Sequence, residues 1–138
     1  MARKIVWVND EKTIIETSET PPVTTADIFS ERDARLLAGT NIYLPGYGAA
    51  IRIVGSQLVE EHLNGLAIVA IGQTLAGSAA DTQVWNDSAG TKHTLTWTQI
   101  LQLHSLAAAW KTDIWEAART LSEADPLDPD YATSDVWP

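Results

Sequence analysis

The sequence predicts an α+β fold: a small helical domain with two longer helices and one short one, joined to short β-hairpins, with a hairpin arm before it and an acidic tail behind. Three observations carry this expectation. Apolar residues recur at three-to-four spacing over long stretches of the second half. Short β-branched runs come in pairs around polar or glycine-containing turns. Helix-starting and helix-stopping residues stand at the ends of the periodic stretches.

At the start, Ile5-Val6-Trp7-Val8 and Thr13-Ile14-Ile15-Glu16-Thr17 flank the polar turn Asn9-Asp10-Glu11-Lys12 and predict a hairpin. Residues 18–25 contain Pro21-Pro22 and few apolar groups, so they are expected to run extended as an arm. A short helix follows. Ser30 with Asp33 has the spacing of a helix-start box, the helix is allowed to begin near Ala26, and Gly39 supplies its stop. Asn41-Ile42-Tyr43-Leu44 and Ala50-Ile51-Arg52-Ile53-Val54, around Pro45-Gly46-Tyr47-Gly48, predict a second hairpin.

From residue 56 to 76, Leu58, Val59, His62, Leu63, Leu66 and Ala70 recur at helical spacing, with Glu60 and Glu61 off that face. The stretch 66–71 within it is apolar on every side, so periodicity alone leaves a buried strand open there. A third hairpin is expected from Gln83-Val84-Trp85-Asn86, the turn Asp87-Ser88-Ala89-Gly90, and residues 91–96. Thr96 then stands three residues before Gln99, the spacing of a capping box. Ile100, Leu103, Ala107, Trp110, Ile114, Ala117 and Leu121 repeat at alternating intervals of three and four. The longest helix belongs here, ending near Ser122. After it, Pro126, Pro129 and the aspartates Asp125, Asp128, Asp130 and Asp135 make a tail that cannot fold alone. The expected organisation is an arm over residues 1–25, a compact domain over 26–121 and a tail over 122–138.

Composition removes whole classes of function. Eighteen acidic against nine basic residues give a formal charge of −9, which opposes binding to nucleic-acid phosphates or anionic lipid. With no cysteine there is no disulfide framework, thiolate metal site or cysteine nucleophile. No apolar run reaches the roughly 20 residues a bilayer span needs, and charge interrupts the first residues before a signal-peptide core forms, so a soluble protein without a cleaved leader is expected.

No enzyme is expected either. His62, His93 and His104 fall on different elements without metal-ligand spacing, and read as packing or hairpin residues. Glu60 and Glu61 are adjacent on a helix and point about 100° apart, which suits a solvated face better than an acid/base pair. Ser56 lacks the strand-elbow context of a nucleophile, and Gly46-Tyr47-Gly48 opens no helix that would cradle phosphate. Catalytic, cofactor and metal sites are accordingly expected to be absent. Six tryptophans are many for 138 residues and suit either a sugar-stacking platform or protein interfaces, with interfaces preferred. Ile5, Trp7, Ile14 and Ile15 in the first hairpin, Trp97, and Val136 and Trp137 in the tail are the expected contacts with other subunits.

The segment from Trp85 through the turn 87–90, His93-Thr94-Leu95-Thr96 and Gln99 to Leu103 resembles a small domain of unknown function found in bacteriophage tail-fibre-like and other virion proteins. The helix Arg32-Asp33-Ala34-Arg35-Leu36-Leu37-Ala38-Gly39, the hairpin after it and the helix holding Asn64-Gly65-Leu66-Ala67 extend the likeness over residues 29–121. The resemblance implies a non-enzymatic component of a phage tail, in a fibre, tip or baseplate. It implies assembly into the virion in the host cytoplasm, homo-oligomerisation and docking to other tail proteins. Two alternatives remain open at the level of sequence: a tip module that binds host-surface glycan, and a small acidic inhibitor of a basic host protein.

Overall fold

A computed structural model describes the backbone of residues 2–8 and 11–17 and the whole of residues 20–138. In chain order the elements are β1 (Ala2–Val8), β2 (Glu11–Thr17), α1 (Thr25–Ala38), β3 (Thr40–Tyr43), β4 (Ala50–Ile53), α2 (Gln57–Leu75), β5 (Thr82–Asn86), β6 (Lys92–Thr96) and α3 (Trp97–Ser122), followed by a 3-10 turn at Tyr131–Thr133. Among the described residues each strand pairs antiparallel with its sequence neighbour, giving three separate two-stranded sheets. The architecture is α+β, as the sequence predicts. The side chains of residues 1–19 lie outside the description, and with them the contacts expected of Ile5, Trp7, Ile14 and Ile15.

Each helix begins at a side-chain cap. Thr96 accepts from the Gln99 amide at 3.1 Å while the Gln99 side chain accepts from the Thr96 amide at 2.9 Å, so two otherwise orphaned donors are satisfied reciprocally at the start of α3. Ser56 caps α2 by accepting from Val59 N–H. At α1 the box lies earlier than Ser30 and Asp33. Thr24 and Asp27 form it, because residue 25 already takes helical geometry directly after the proline arm. The Thr24 hydroxyl and then the Thr24 amide, both donating to Asp27, hold its carboxyl below the usual range.

Residues 66–71 are helical, which resolves the one element that periodicity left open. The orientation of α2 differs from the expected face. Val59, Leu63, Leu66, Ala67 and Ala70 turn inward, while Leu58 and His62 lie outside. A helix apolar on all sides gives periodicity no contrast to work with, so only packing selects the buried side.

The long helix α3 is the spine, and its seam is buried as the alternating spacing predicts, with Trp110 half-buried at the middle. Around its first half lies a core of Ile42, Ile51, Ile53, Leu63, Trp85 and Leu95, packed on Ile100 and Leu103. Around its second half, Ile28 and Leu36 of α1 meet Ile114, Ala118, Leu121 and Trp137. Trp110 touches both clusters.

Two glycines set the joint between α1 and the second hairpin. Gly39 ends α1 at φ +73° and ψ −175°, a region open to glycine alone, and a Cβ there would lie 2.3 Å from the Ile53 carbonyl oxygen. Gly55 lies against Leu36 and donates its N–H to the Leu36 carbonyl at 2.7 Å.

Candidate functional site

Three features of the described surface and interior carry enough chemistry to consider. The first is a buried polar hub. The turn between β5 and β6 folds so that Asp87, nearly enclosed, accepts at one carboxylate oxygen from the Ala89 and Thr91 amides at 2.9 and 2.8 Å. Its other oxygen accepts from the Arg52 amide on β4 and from His93 Nε2, both at 3.0 Å. Because the ionised carboxylate only accepts, Nε2 carries a proton, and Nδ1 on the other side of the ring is hydrogen-bonded to the Tyr47 hydroxyl at 2.8 Å.

Burial alone would raise the Asp87 carboxyl. The bonds from His93, Arg52, Thr91 and Ala89 together outweigh it and hold the group below its ordinary value. Ser88 strengthens the same joint, its amide donating to the Arg52 carbonyl and its hydroxyl accepting from Val54 N–H. The turn of one hairpin thereby caps the edge of another. His93 is 2% exposed and bonded through both ring nitrogens, so this Asp–His–Tyr array ties the second and third hairpins together from inside.

The second feature is a cleft of about 360 Å3 between α2 and the middle of α3, closed at one end by residues 53–56. Its walls are apolar, from Ile53, Val59, Leu63, Ala107 and Trp110. Its rim is polar: Glu60 pairs with Lys111, and His104 Nε2 donates to the Asn64 side-chain carbonyl at 2.8 Å. Beyond the rim, the Arg32 guanidinium stacks 4.0 Å from the Trp115 ring centroid and 5.1 Å from that of Phe29. Tryptophan and arginine brought together at a surface are the residue types that dominate binding energy where proteins meet.

The third feature is the outer face of α2, where Leu58, Ile68, Val69, Ile71 and Leu75 are all exposed. Single exposed apolar residues are ordinary, but Ile68, Val69, Ile71 and Leu75 expose four apolar side chains within eight residues of one helix, a surplus of the kind that marks interaction surfaces.

The residues singled out from the sequence are dispersed. Trp97 is buried in the first core, and Trp137 is buried in the second, where its Nε1 donates to the Tyr131 carbonyl at 2.8 Å and Arg35 stacks on its ring. The tail therefore docks on its own chain, and Trp97 and Trp137 have little surface left to offer another. Val136, next to Trp137 in the chain, is half-exposed. His93 does bond within its hairpin, as expected, and reaches Tyr47 as well. His62 stacks on Trp85 at 4.8 Å between ring centroids. Of the tryptophans with described side chains, Trp115 is the most open, and Arg32 lies over its ring.

Sequence reasoning passed over Asp87 as one residue of a turn. Its signal was an Asp at a turn start with a backbone donor two residues on, an Asx turn. The α2 patch was passed over because Leu58 was placed on the packed face and residues 66–71 read as apolar on every side.

Helix caps, paired hairpins and a single spine helix define a small α+β domain with its polar chemistry spent on joints and its apolar surplus on one helix. The chain belongs to the family described as a domain of unknown function (DUF4376), which matches residues 19–135. That span runs past α3 and through the 3-10 turn, so it takes in most of the tail as well as the core. No curated protein and no solved structure matches the chain.

Proposed function

We propose that this protein is a non-enzymatic structural module that works by oligomerising and by docking to neighbouring proteins, as a component of a bacteriophage tail. The observation that carries the docking reading is the outer face of α2, an apolar surface that the domain's own core does not use. The tail setting rests on the resemblance of residues 29–121 to domains of virion proteins. On this reading the protein is assembled into the particle in the host cytoplasm, with other tail proteins as partners.

The polar hub supports a static role, since Asp87, His93 and Tyr47 lock two hairpins together and His93 is buried. Immunogold labelling and mass spectrometry of purified particles from the phage that encodes the chain test the reading. Label at one fixed position on the tail is expected. Protein recovered from infected-cell extract and absent from the particles overturns it.

A further inference from the structure

We infer that the acidic C-terminal segment exchanges between copies of this chain: its Trp137 leaves the seat on its own α1 and α3 and enters the same seat on a second copy, which returns its own segment. The inference deepens the oligomerisation part of the proposed function by naming the segment, the seat and the partner. The occupant of the seat is visible in the fold, since Trp137 fills it among Ile28, Ile114, Ala118 and Leu121. A second copy brings the identical side chain, so an exchanged pair makes the same contacts as the closed chain.

The segment is built as a self-contained piece. The amides of Tyr131, Thr133 and Ser134 donate to the carbonyls of Asp128, Asp130 and Tyr131 at 3.2, 2.9 and 3.3 Å. The Asp130 amide donates to the Asp128 carboxylate at 2.8 Å, and Trp137 Nε1 to the Tyr131 carbonyl at 2.8 Å. These bonds all lie within residues 128–137 and travel with the piece when it moves. Its ties to the helices are few by comparison. Among the described residues, one hydrogen bond joins residues 124–138 to the rest of the chain, from the Arg35 guanidinium to the Ala132 carbonyl, and no ion pair does. Within residues 123–138 Trp137 alone is buried, with Leu127 and Tyr131 partly covered beside the same cluster. Detachment uncovers these side chains and breaks the Arg35 stacking contact and hydrogen bond, and a second seat restores all of them.

The stretch between α3 and this piece serves as the hinge. Residues 124–127 make no hydrogen bond among the described residues, so no backbone bond there resists opening, and Pro126 and Pro129 favour extended chain. Fully extended, residues 123–130 reach about 25 Å, enough to cross to a copy that abuts the end of α3. Like charge limits how tightly the piece is held: it carries Asp125, Asp128, Asp130 and Asp135 with no basic residue, and Val136 and Pro138 share a shallow groove with Asp113 and Glu116. A tethered segment competes with its neighbours' at an effective concentration on the order of millimolar, so exchange grows where copies are held side by side, as in an oligomeric assembly. Closed on its own chain, Trp137 offers a neighbour almost nothing. Exchanged reciprocally, the same ring joins two copies across a two-fold axis.

The test uses the full chain, whose lack of cysteine allows single labels. Thr120 on α3 and Val136 are exposed and line one groove, so a Thr120→Cys, Val136→Cys double variant is expected to close within one chain under a short bismaleimide. Thr120→Cys chains mixed at 100 μM with isotope-labelled Val136→Cys chains are expected to give a mixed dimer. Its yield should be at least five-fold above that from Thr120→Cys mixed with Lys92→Cys, an exposed position outside the segment and its seat. An excess of synthetic peptide spanning residues 123–138 is expected to suppress the mixed dimer, and the same peptide with Trp137→Ala is not. Failure of the double variant to close, a mixed dimer no more abundant than the control pair, or a yield that the two peptides leave unchanged or lower equally overturns the inference. These readouts are taken on the purified chain, so they fail or succeed independently of whether the protein is found in virions.

Discussion

The first half of α3 is walled by two hairpins and α2, and the second half by α1 and the last dozen residues of the chain. Both halves bury the same continuous seam, yet they are specified differently. Asp87 and His93, the buried polar side chains among the described residues, both belong to the first half, where their bonds fix how β4, β5 and β6 sit against one another. The second half is closed by apolar contact and by one aromatic anchor, Trp137, steadied by Arg35. The Arg35 guanidinium stacks 4.8 Å from the Trp137 ring centroid and donates to the Ala132 carbonyl at 2.8 Å. A directional hydrogen-bond network makes one end of the spine unique in geometry. An anchored tail makes the other end dependent on a short segment held mainly by one side chain.

The largest effect is expected at the anchor. Trp137→Ala should cost about 3–5 kcal/mol, read from chemical denaturation. If the ends differ as described, hydrogen exchange in this variant accelerates in α1 and the C-terminal turns of α3 while β5 and β6 stay protected. Uniform acceleration would show one cooperative unit instead.

At the hub, Asp87→Ala should cost about 3 kcal/mol, because His93 and the Arg52, Ala89 and Thr91 amides lose their acceptor together. The same group sets an acid limb. Its folded pKa lies below the ordinary 3.8, so its stabilising contribution is complete above that value and is lost as pH falls through the folded pKa. Acid titration of the wild type should therefore show a loss of stability below about pH 4 that Asp87→Asn lacks.

Gly39→Ala should cost about 1–3 kcal/mol, through backbone strain and the clash with the Ile53 carbonyl. This substitution strikes the joint where α1 meets β4, and its exchange pattern should spread into both ends. The smallest effects belong to the caps. Thr24→Ala and Thr96→Ala should each cost about 1 kcal/mol, the first felt at the α1 end and the second at the hairpin end. Thermal melts of the two single variants and the double variant should show nearly additive losses, since the caps share no partner.

The amino-acid sequence by itself determined what depends on residues close together along the chain. The Thr96–Gln99 box, the α3 seam, the stop at Gly39 and the pairing of strands across short turns all follow from capping chemistry, side-chain period and glycine's freedom. Each is settled within a few residues. Only the tertiary structure decided what depends on distant groups meeting. Asp87 reads as an ordinary turn residue until β4 supplies the Arg52 amide, 35 positions earlier in the chain, and Tyr47 closes the other side of His93. Trp137 reads as a contact for another subunit until α1 and α3 form the pocket it fills. The inward side of α2 was undecidable locally because the helix is apolar all round. The physical reason is common to these cases: burial and desolvation are properties of the packed whole, and local spacing determines which elements form without stating which surfaces they hide.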